Sequence, residues 1–414
     1  MTTPSIDIDP ATVEGLLMEL GAFGAWGGTG VWRPVYTPEW VAAADCFAAW
    51  CDEAGLAVRR DAVGNVWGRL DGSEGGGPIV SGSHVDTQCP GGRYDGALGA
   101  IAALVAVQAL QDGFGAPRKP LEVLALCEEE GSRFPTAGFW GSGAIVGRIG
   151  PEDAERTIGS AGETMAEAMR AVGLDPALIA GARRTDIDAF VELHIEQGPI
   201  LEQAGLPVAI VNAITGMRHT EVVVTGVANH AGAFPMDLRR DPMAGFAEIA
   251  SGVIDTARRM GRPAVTTVGR VSVDPNGPAI IPRAVTFTID ARHPDPVARD
   301  ALYATHEELI REVVARRGLG VESRVLFDHV PCLSDPSLVD SLERAAAGQG
   351  VPTLRMASGA GHDTQQMATA AQRVAMVFVR SKDGRSHTPE EFSSLDDIVA
   401  GIRVLAAGLH ALAY

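Results

Sequence analysis

Cysteine is sparse in this sequence. Cys46, Cys51, Cys89, Cys127 and Cys332 are scattered over 414 residues, with an odd total and no C-x-x-C pair. That argues against a disulfide framework and fits five free thiols in a reducing cytoplasm. Positive charge is also short: 34 Lys and Arg face 52 Asp and Glu, a net charge of -18. Such a surface repels nucleic-acid phosphates, so no nucleic-acid partner is expected. The acidity reads as solubility, and it leaves room for an anionic substrate where arginines dominate a pocket. No apolar run reads as long enough to span a bilayer, and the polar, acidic Met1–Pro10 does not read as a signal peptide. No membrane association is therefore expected. Repeats and low-complexity segments are absent as well.

What is present is a large potential core. Hydrophobic residues make up 46% and charged residues 21% of the chain, and the length suggests two or three domains. Helical apolar spacing runs over Ile6 to Met18 and Pro38 to Ala54, and two short strands flank the turn Val63-Gly64. A strand at Ile79-Val80, a helix Ala97 to Leu110 and a strand Leu121 to Cys127 form a βαβ signature of a mostly parallel sheet. Helical stretches follow at Ala137 to Ile149 and Gly162 to Ala171, and a short strand at Phe190 to Leu193. From about Asn212 the pattern changes to strand (Thr220–Val227), helix (Pro242–Met260), strand (Ala264–Val273), strand (Ala284–Ala291), helix (Pro296–Arg317) and strand (Val321–Phe327). That βαββαβ order implies an inserted, ferredoxin-like antiparallel domain. After Pro331 the α/β character returns, with a helix Ser337–Gln349, a strand Val374–Phe378 and a closing helix Leu395–Leu412. The expected fold is α/β, with a mostly parallel catalytic domain at 1–212 and 330–414 and an inserted domain at 213–329.

Five separated segments each carry a metal-type side chain where a strand ends: His84, Asp95, Glu130, His194 and His387. Histidine and carboxylate donors without thiolate suit zinc, manganese, cobalt or nickel. Five ligands exceed one tetrahedral ion but suit two ions that share a carboxylate. Asp95 is the natural bridge, because glycines nearby leave its carboxylate open on two sides. Asp86 can accept from the second ring nitrogen of His84 and fix its tautomer. Of Glu128, Glu129 and Glu130, one can ligate while another serves as a base. A lone histidine is more often structural, and a glutamate run is more often a solvated face. The conjunction of five strand-end motifs is what favours a site.

Those motifs carry a resemblance that covers nearly the whole chain. G-S-H-V-D-T (82–87), G-G-R-Y-D-G (91–96), E-E-E-G-S-R-F-P (128–135), V-E-L-H-I-E-Q-G-P (191–199), A-N-H-A-G (228–232), S-G-A-G-H-D (358–363) and S-H-T-P-E-E (386–391) resemble the amidase/hydantoinase/carbamoylase branch of the aminoacylase-like di-metal hydrolases. The resemblance implies His84, Asp95 and His194 on one metal ion, and Asp95, Glu130 and His387 on the other. It implies Glu129 as the general base and Glu128 as a bystander. The inserted domain matches a lid and dimerisation domain. Within it, His230, Asn276 and Arg292 match substrate-binding positions, as do Gln197 and His362 outside it. His230 would reach a neighbouring subunit's site and stabilise the oxyanion, which implies a homodimer.

The implied reaction is hydrolysis of a ureido group on a small carboxylate-bearing substrate, an N-carbamoyl-L-amino acid or allantoate. One rival is an aminoacylase or dipeptidase acting on an ordinary amide, which His194 opposes because many peptidase relatives carry a carboxylate there. Another is an inactive binding homologue, opposed by the complete ligand set. For Asn276 a plain turn, and for Arg292 a surface ion pair, are the ordinary alternatives. Three positions depart from the usual family pattern: Gln88 after Thr87 where valine is commoner, Tyr94 where phenylalanine is usual, and Thr364 after His362-Asp363. Gln88, close to Asp95, and Tyr94 are the first places to look for an altered substrate preference.

Overall fold

The computed structural model describes residues 4–414; the first three residues of the polar N-terminal stretch lie outside the described residues. The chain divides into two compact units, one built from residues up to Asn212 with Ser334–Met356 and Ala360–Tyr414, the other from Ala213–Leu333 with Ala357–Gly359.

The first unit is organised on a mixed sheet. Its strands run, from one edge, Ala57–Arg60, Val66–Leu70, Leu121–Leu126, Ile79–His84, Ile187–Ile195, Ala371–Val379 and Val208–Ile214. The middle four pair in parallel, and the outer ones pair antiparallel. Ile79–His84, Leu121–Leu126 and Ile187–Ile195 are buried along their whole length, and Leu121–Leu126 accordingly reads as a near-continuous apolar run. The helix Ala97–Phe114 packs against Ile79–His84 and against Leu395–Ala413. Contrary to the sequence reading, this helix is long and apolar enough to cross a membrane by length and composition. However, 67% of it is buried within the protein, as a core helix would be.

Helix starts follow a repeated local rule. Asp9-Pro10, Asp241-Pro242, Asp295-Pro296 and Asp335-Pro336 each place an aspartate that accepts backbone N–H groups before a proline in the first turn. Proline has no N–H to leave unsatisfied there, and the aspartate satisfies its neighbours. This moves the first helix to Pro10–Ala22, later than the apolar spacing from Ile6 suggested. The helix expected over 137–149 shrinks to Trp140–Ile145. The strand expected at 190–193 lengthens to Ile187–Ile195, and Val208–Ile214 and Thr353–Ser358 form strands that periodicity missed.

The second unit is a four-stranded antiparallel sheet in the order Val265–Asp274, Ala284–His293, Gly216–Thr225, Gly320–His329, with helices Pro242–Met260 and Pro296–Arg317. Ala284–His293 buries every second residue, as a sheet with one covered face requires. Val222, Val224, Val285, Phe287 and Ile289 meet Ile249, Val253, Leu302, Ile310 and Val313 in its core.

His306 is an exception within that apolar layer. It is buried, and its Nε2 has no hydrogen-bond partner among the described residues. Burial pushes its pKa down to about 4, against about 6.5 in an unfolded chain. Between those values the unfolded state binds more protons. The stability contributed by neutral His306 is therefore complete above about pH 6.5 and is lost as pH falls toward 4, by about 3 kcal/mol over the window. Denaturant melts of the metal-free full chain should show the stability gap between His306→Gln and wild type shift in favour of the variant as pH drops from about 7 to about 5. Parallel pH profiles for the two proteins would refute the assignment.

Candidate active site

Four adjacent parallel strands end on the same edge, and each delivers a site residue there. His84 is the last residue of Ile79–His84, Glu128–Glu130 follow Leu121–Leu126, His194 is next to last in Ile187–Ile195, and His387 lies eight residues beyond Ala371–Val379. The sequence-predicted ligands come together. His84 Nε2 lies 3.5 Å and His194 Nε2 3.1 Å from Asp95 Oδ1. His387 Nε2 lies 3.4 Å from Asp95 Oδ2 and 3.4 Å from Glu130 Oε2. Asp95 thus turns one oxygen to each of two three-residue sets.

The loop that carries Asp95 is built for close approach. Gly96 sits at φ +64°, and a Cβ there would fall 2.4 Å from three atoms of the His84 ring. Gly92 lies against the carboxyl of Glu391, where a Cβ would be 2.3 Å from Oε1. That carboxyl accepts from the backbone N–H groups of Tyr94 (3.0 Å) and Asp95 (2.9 Å). Ser386 Oγ stands 2.8 Å from Asp95 Oδ2 and 3.2 Å from Glu391 Oε2. Glu391 and Ser386 thus hold the Asp95 loop and carboxylate in place, a role that their position inside S-H-T-P-E-E (386–391) does not by itself reveal.

Asp86 does more than face His84. Its Oδ1 is 3.4 Å from His84 Nδ1, while its own carbonyl is nearer, at 3.1 Å. The same carboxylate accepts from the backbone N–H of Glu129 (3.1 Å) and of Glu130 (3.2 Å), so it also fixes the glutamate turn. Glu129 Oε2 then comes to 4.0 Å from His84 Nε2. Glu128 is buried at φ +44°, one carboxyl oxygen meeting the Phe134 N–H, and is not on a solvated face.

Gln197 Nε2 donates to Asp95 Oδ2 at 2.8 Å and to Ser386 Oγ at 3.1 Å. His362 is buried with its ring 4.6 Å from the His194 ring, and burial, with the His194 charge, holds its pKa well below the ordinary value. Glu192 and Asp363, both fully buried, were not anticipated. Glu192 accepts from Ser83 Oγ (2.7 Å) and Thr364 Oγ1 (2.6 Å), which gives the unusual Thr364 a partner. Asp363 accepts from Ser142 Oγ. Glu128, Gln197 and His387 all hold positive φ, and strained backbone of this kind clusters at functional sites.

The other three predicted residues belong to the second unit. His230 is exposed, and its strand pairs with Ile280–Ile281. Its Nδ1 accepts from the N–H groups of Gly232 (3.1 Å) and Ala233 (3.0 Å). Two donors at Nδ1 leave the proton on Nε2, which is then a hydrogen-bond donor to solvent or ligand. Asn276 is exposed in the loop before Ile280. Arg292 is held by Asp290 in a two-point pair, Nε to Oδ1 at 2.9 Å and Nη2 to Oδ2 at 2.8 Å, and Nη1 donates to Gly359 O. His219 Nε2 meets Asp290 Oδ2 at 2.8 Å, so a histidine the sequence left unassigned supports the arginine.

The electrostatics fit divalent cations. Tetrahedral bonds of about 2.0–2.2 Å place neighbouring donor atoms about 3.3–3.6 Å apart, close to the 3.1–3.5 Å that separates the histidine nitrogens from the Asp95 and Glu130 oxygens. Burial alone would raise the Asp95 pKa, but hydrogen bonds with His194, His387 and His84 outweigh it and hold the carboxyl well below its usual range. Burial, then the Asp95 charge, pushes Glu130 and Glu391 up; burial also pushes Glu129 up, against the His84 charge. Glu130 Oε1 is buried without a partner among the described residues. Carboxylates this crowded call for positive charge between them.

Known proteins share this arrangement of sequence. The signature of peptidase family M20/M25/M40 matches residues 80–411. An allantoate amidohydrolase of Escherichia coli (strain K12) is 39% identical over 403 residues, spanning 97% of this chain and 98% of its own. An N-carbamoyl-L-amino acid amidohydrolase of Geobacillus stearothermophilus is 40% identical over 392 residues, spanning 94% and 95%. Among solved structures, a hydantoinase/carbamoylase family amidase from Burkholderia multivorans superposes with a TM-score of 0.91 at 34% identity, covering 99% of this chain and 98% of that one. On the extent of these matches, the chain belongs to the peptidase family M20/M25/M40.

Proposed function

We propose that the protein is a metal-dependent amidohydrolase that cleaves the ureido C–N bond of an N-carbamoyl-L-amino acid or allantoate. The observation that carries the reading is the pair of three-residue ligand sets sharing Asp95, with Glu129 beside them. The ureido substrate class is drawn from the relatives named for it.

In this reading His84, Asp95 and His194 hold one ion, and Asp95, Glu130 and His387 the other, as zinc, manganese, cobalt or nickel. Two such ions, when bound, polarise a carbonyl and lower the pKa of water toward about 7. Glu129 takes a proton from the attacking water and returns it to the leaving nitrogen. The Nε2–H of His230 donates to the oxyanion. Arg292 grips the substrate carboxylate, and Gln197, Asn276 and His362 are further substrate-binding residues. The balance is R-NH-CO-NH2 plus water giving R-NH2, carbon dioxide and ammonia.

Residues 1–212 and 330–414 act as the catalytic domain. Residues 213–329 act as a ferredoxin-like lid that also makes the homodimer and carries His230 to the neighbouring subunit. The free thiols favour a cytoplasmic location.

Metal-restored protein tests the function when assayed for ammonia release from N-carbamoyl-L-amino acids and allantoate, and for free amino-acid release from N-acyl amino acids and dipeptides. Turnover of only the last two would replace the ureido reading with an aminoacylase or dipeptidase, and silence on all four would favour an inactive homologue. Arg292→Ala should raise KM for carboxylate substrates about 10- to 100-fold, the value of a charged hydrogen-bond pair, with a smaller change in kcat. Asp290→Asn should move KM the same way but less, since it only loosens the guanidinium. An unchanged KM in Arg292→Ala would remove the clamp.

A further inference from the structure

Gln88, where the chain departs from the usual valine, reaches Glu130. Its Nε2 lies 2.8 Å from Glu130 Oε2 and 3.4 Å from Glu130 O. The backbone around it is fastened on both sides. Before it, Thr87 N donates to Arg33 O (3.2 Å) and Arg33 N donates to Thr87 Oγ1 (2.9 Å). After it, Gly91 and Val31 exchange backbone hydrogen bonds at 2.9 and 3.0 Å. Arg33 itself is fully buried, donating to the carbonyls of Val85, Leu20 and Phe23. The Gln88 side chain therefore leaves a rigid base.

The oxygen it contacts is the one that faces His387 Nε2 at 3.4 Å, whereas Glu130 Oε1 has no partner among the described residues. A donor on one carboxylate oxygen fixes rotation about the last side-chain bond, which a valine could not do. Groups of this kind, once removed from around a metal ligand, typically cost about 10- to 100-fold in metal affinity. Gln88 makes no such contact with His84 or His194. We infer that Gln88 is a positioning residue for the Asp95–Glu130–His387 set, so that this half of the metal pair depends on Gln88 and the His84–Asp95–His194 half does not. The inference rests on Glu130 being a ligand.

The test is a calorimetric titration of the metal-free full chain with zinc, and with cobalt(II) followed by its visible absorbance. Wild type is compared with Gln88→Met, which keeps the volume without the donor, Gln88→Val and Glu130→Gln. The expected result is two binding events in wild type. One of them should weaken about 10- to 100-fold in both Gln88 variants, and it should be the event that Glu130→Gln abolishes. The other event should be unchanged, which also shows that the variants are folded. The cobalt spectrum should change only for the weakened equivalent. If both Gln88 variants bind like wild type while Glu130→Gln loses an event, the inference falls and the ligand assignment stands. Equal weakening of both events would also overturn it, as a general structural effect. If Glu130→Gln keeps both events, the ligand assignment itself fails, and the inference with it.

Discussion

Glu129→Gln should abolish turnover, lowering kcat by about 10²- to 10⁴-fold, the usual contribution of a positioned base. Metal analysis should still find two ions per chain. The separation is expected because Glu129 is placed by its backbone: its N–H donates to Asp86 Oδ1, and the neighbouring Glu130 N–H to Asp86 Oδ2. An amide of the same shape keeps that turn and leaves Glu130 where it is. What disappears is an acceptor for the proton of the attacking water. Activity near the wild-type level would show that another group is the base, with buried Asp363 an alternative to examine, since its charge acts on Glu129.

The second large effect is expected from the smallest change. Gly96→Ala should remove metal binding and reduce activity more than 100-fold (an effect of roughly 3 kcal/mol or more), because a core overlap of this size forces shifts costing about 1–3 kcal/mol and moves a ligand as well. The added methyl would lie 2.4 Å from the His84 ring on a backbone at φ +64°. His84 cannot retreat easily, since its ring is buried and its Nδ1 faces Asp86. Gly75→Ala is the control: it also has positive φ, at +72°, but nothing lies within 4 Å of the new atom. It should cost only about 1 kcal/mol of stability, from left-handed backbone strain, and leave zinc affinity alone. If the two variants bound zinc equally well, the close approach at His84 would have no role in the site.

Much of this site was legible because each ligand lies in a short motif at the end of an apolar strand. His84, Glu130 and His194 follow runs whose burial is written in their composition, and glycines around Asp95 announce a tight loop. The two long helices of the second unit begin at Pro242 and Pro296 and end at Met260 and Arg317, the bounds that their sequence pattern suggested. Glu391 was not legible in the same way. It looks like one of two acidic residues in a polar loop, and its importance lies in holding the Asp95 N–H from 296 positions away. His219 and Asp290 likewise become one unit only because adjacent strands place them opposite each other. Val208–Ile214 was missed because a short apolar run carries no period long enough to tell strand from loop, and Thr353–Ser358 because its short mixed run shows no clean alternation.

The sequence by itself determined the chemistry available: histidines and carboxylates without thiolates, set at strand ends, in two blocks of different periodicity. Those features are local, since side-chain type, the periods of 2 and 3.6 and the backbone freedom of glycine act over a few residues. Only the tertiary structure decided that Asp95 turns Oδ1 toward His84 and His194 and Oδ2 toward His387, that Asp86 binds the glutamate turn as well as facing a ring nitrogen, and that Gln88 lies on Glu130. The physical reason is that a carboxylate's orientation is set by the donors around it. Here those donors come from segments that meet only when the parallel strands bring their carboxyl ends to one edge of the sheet.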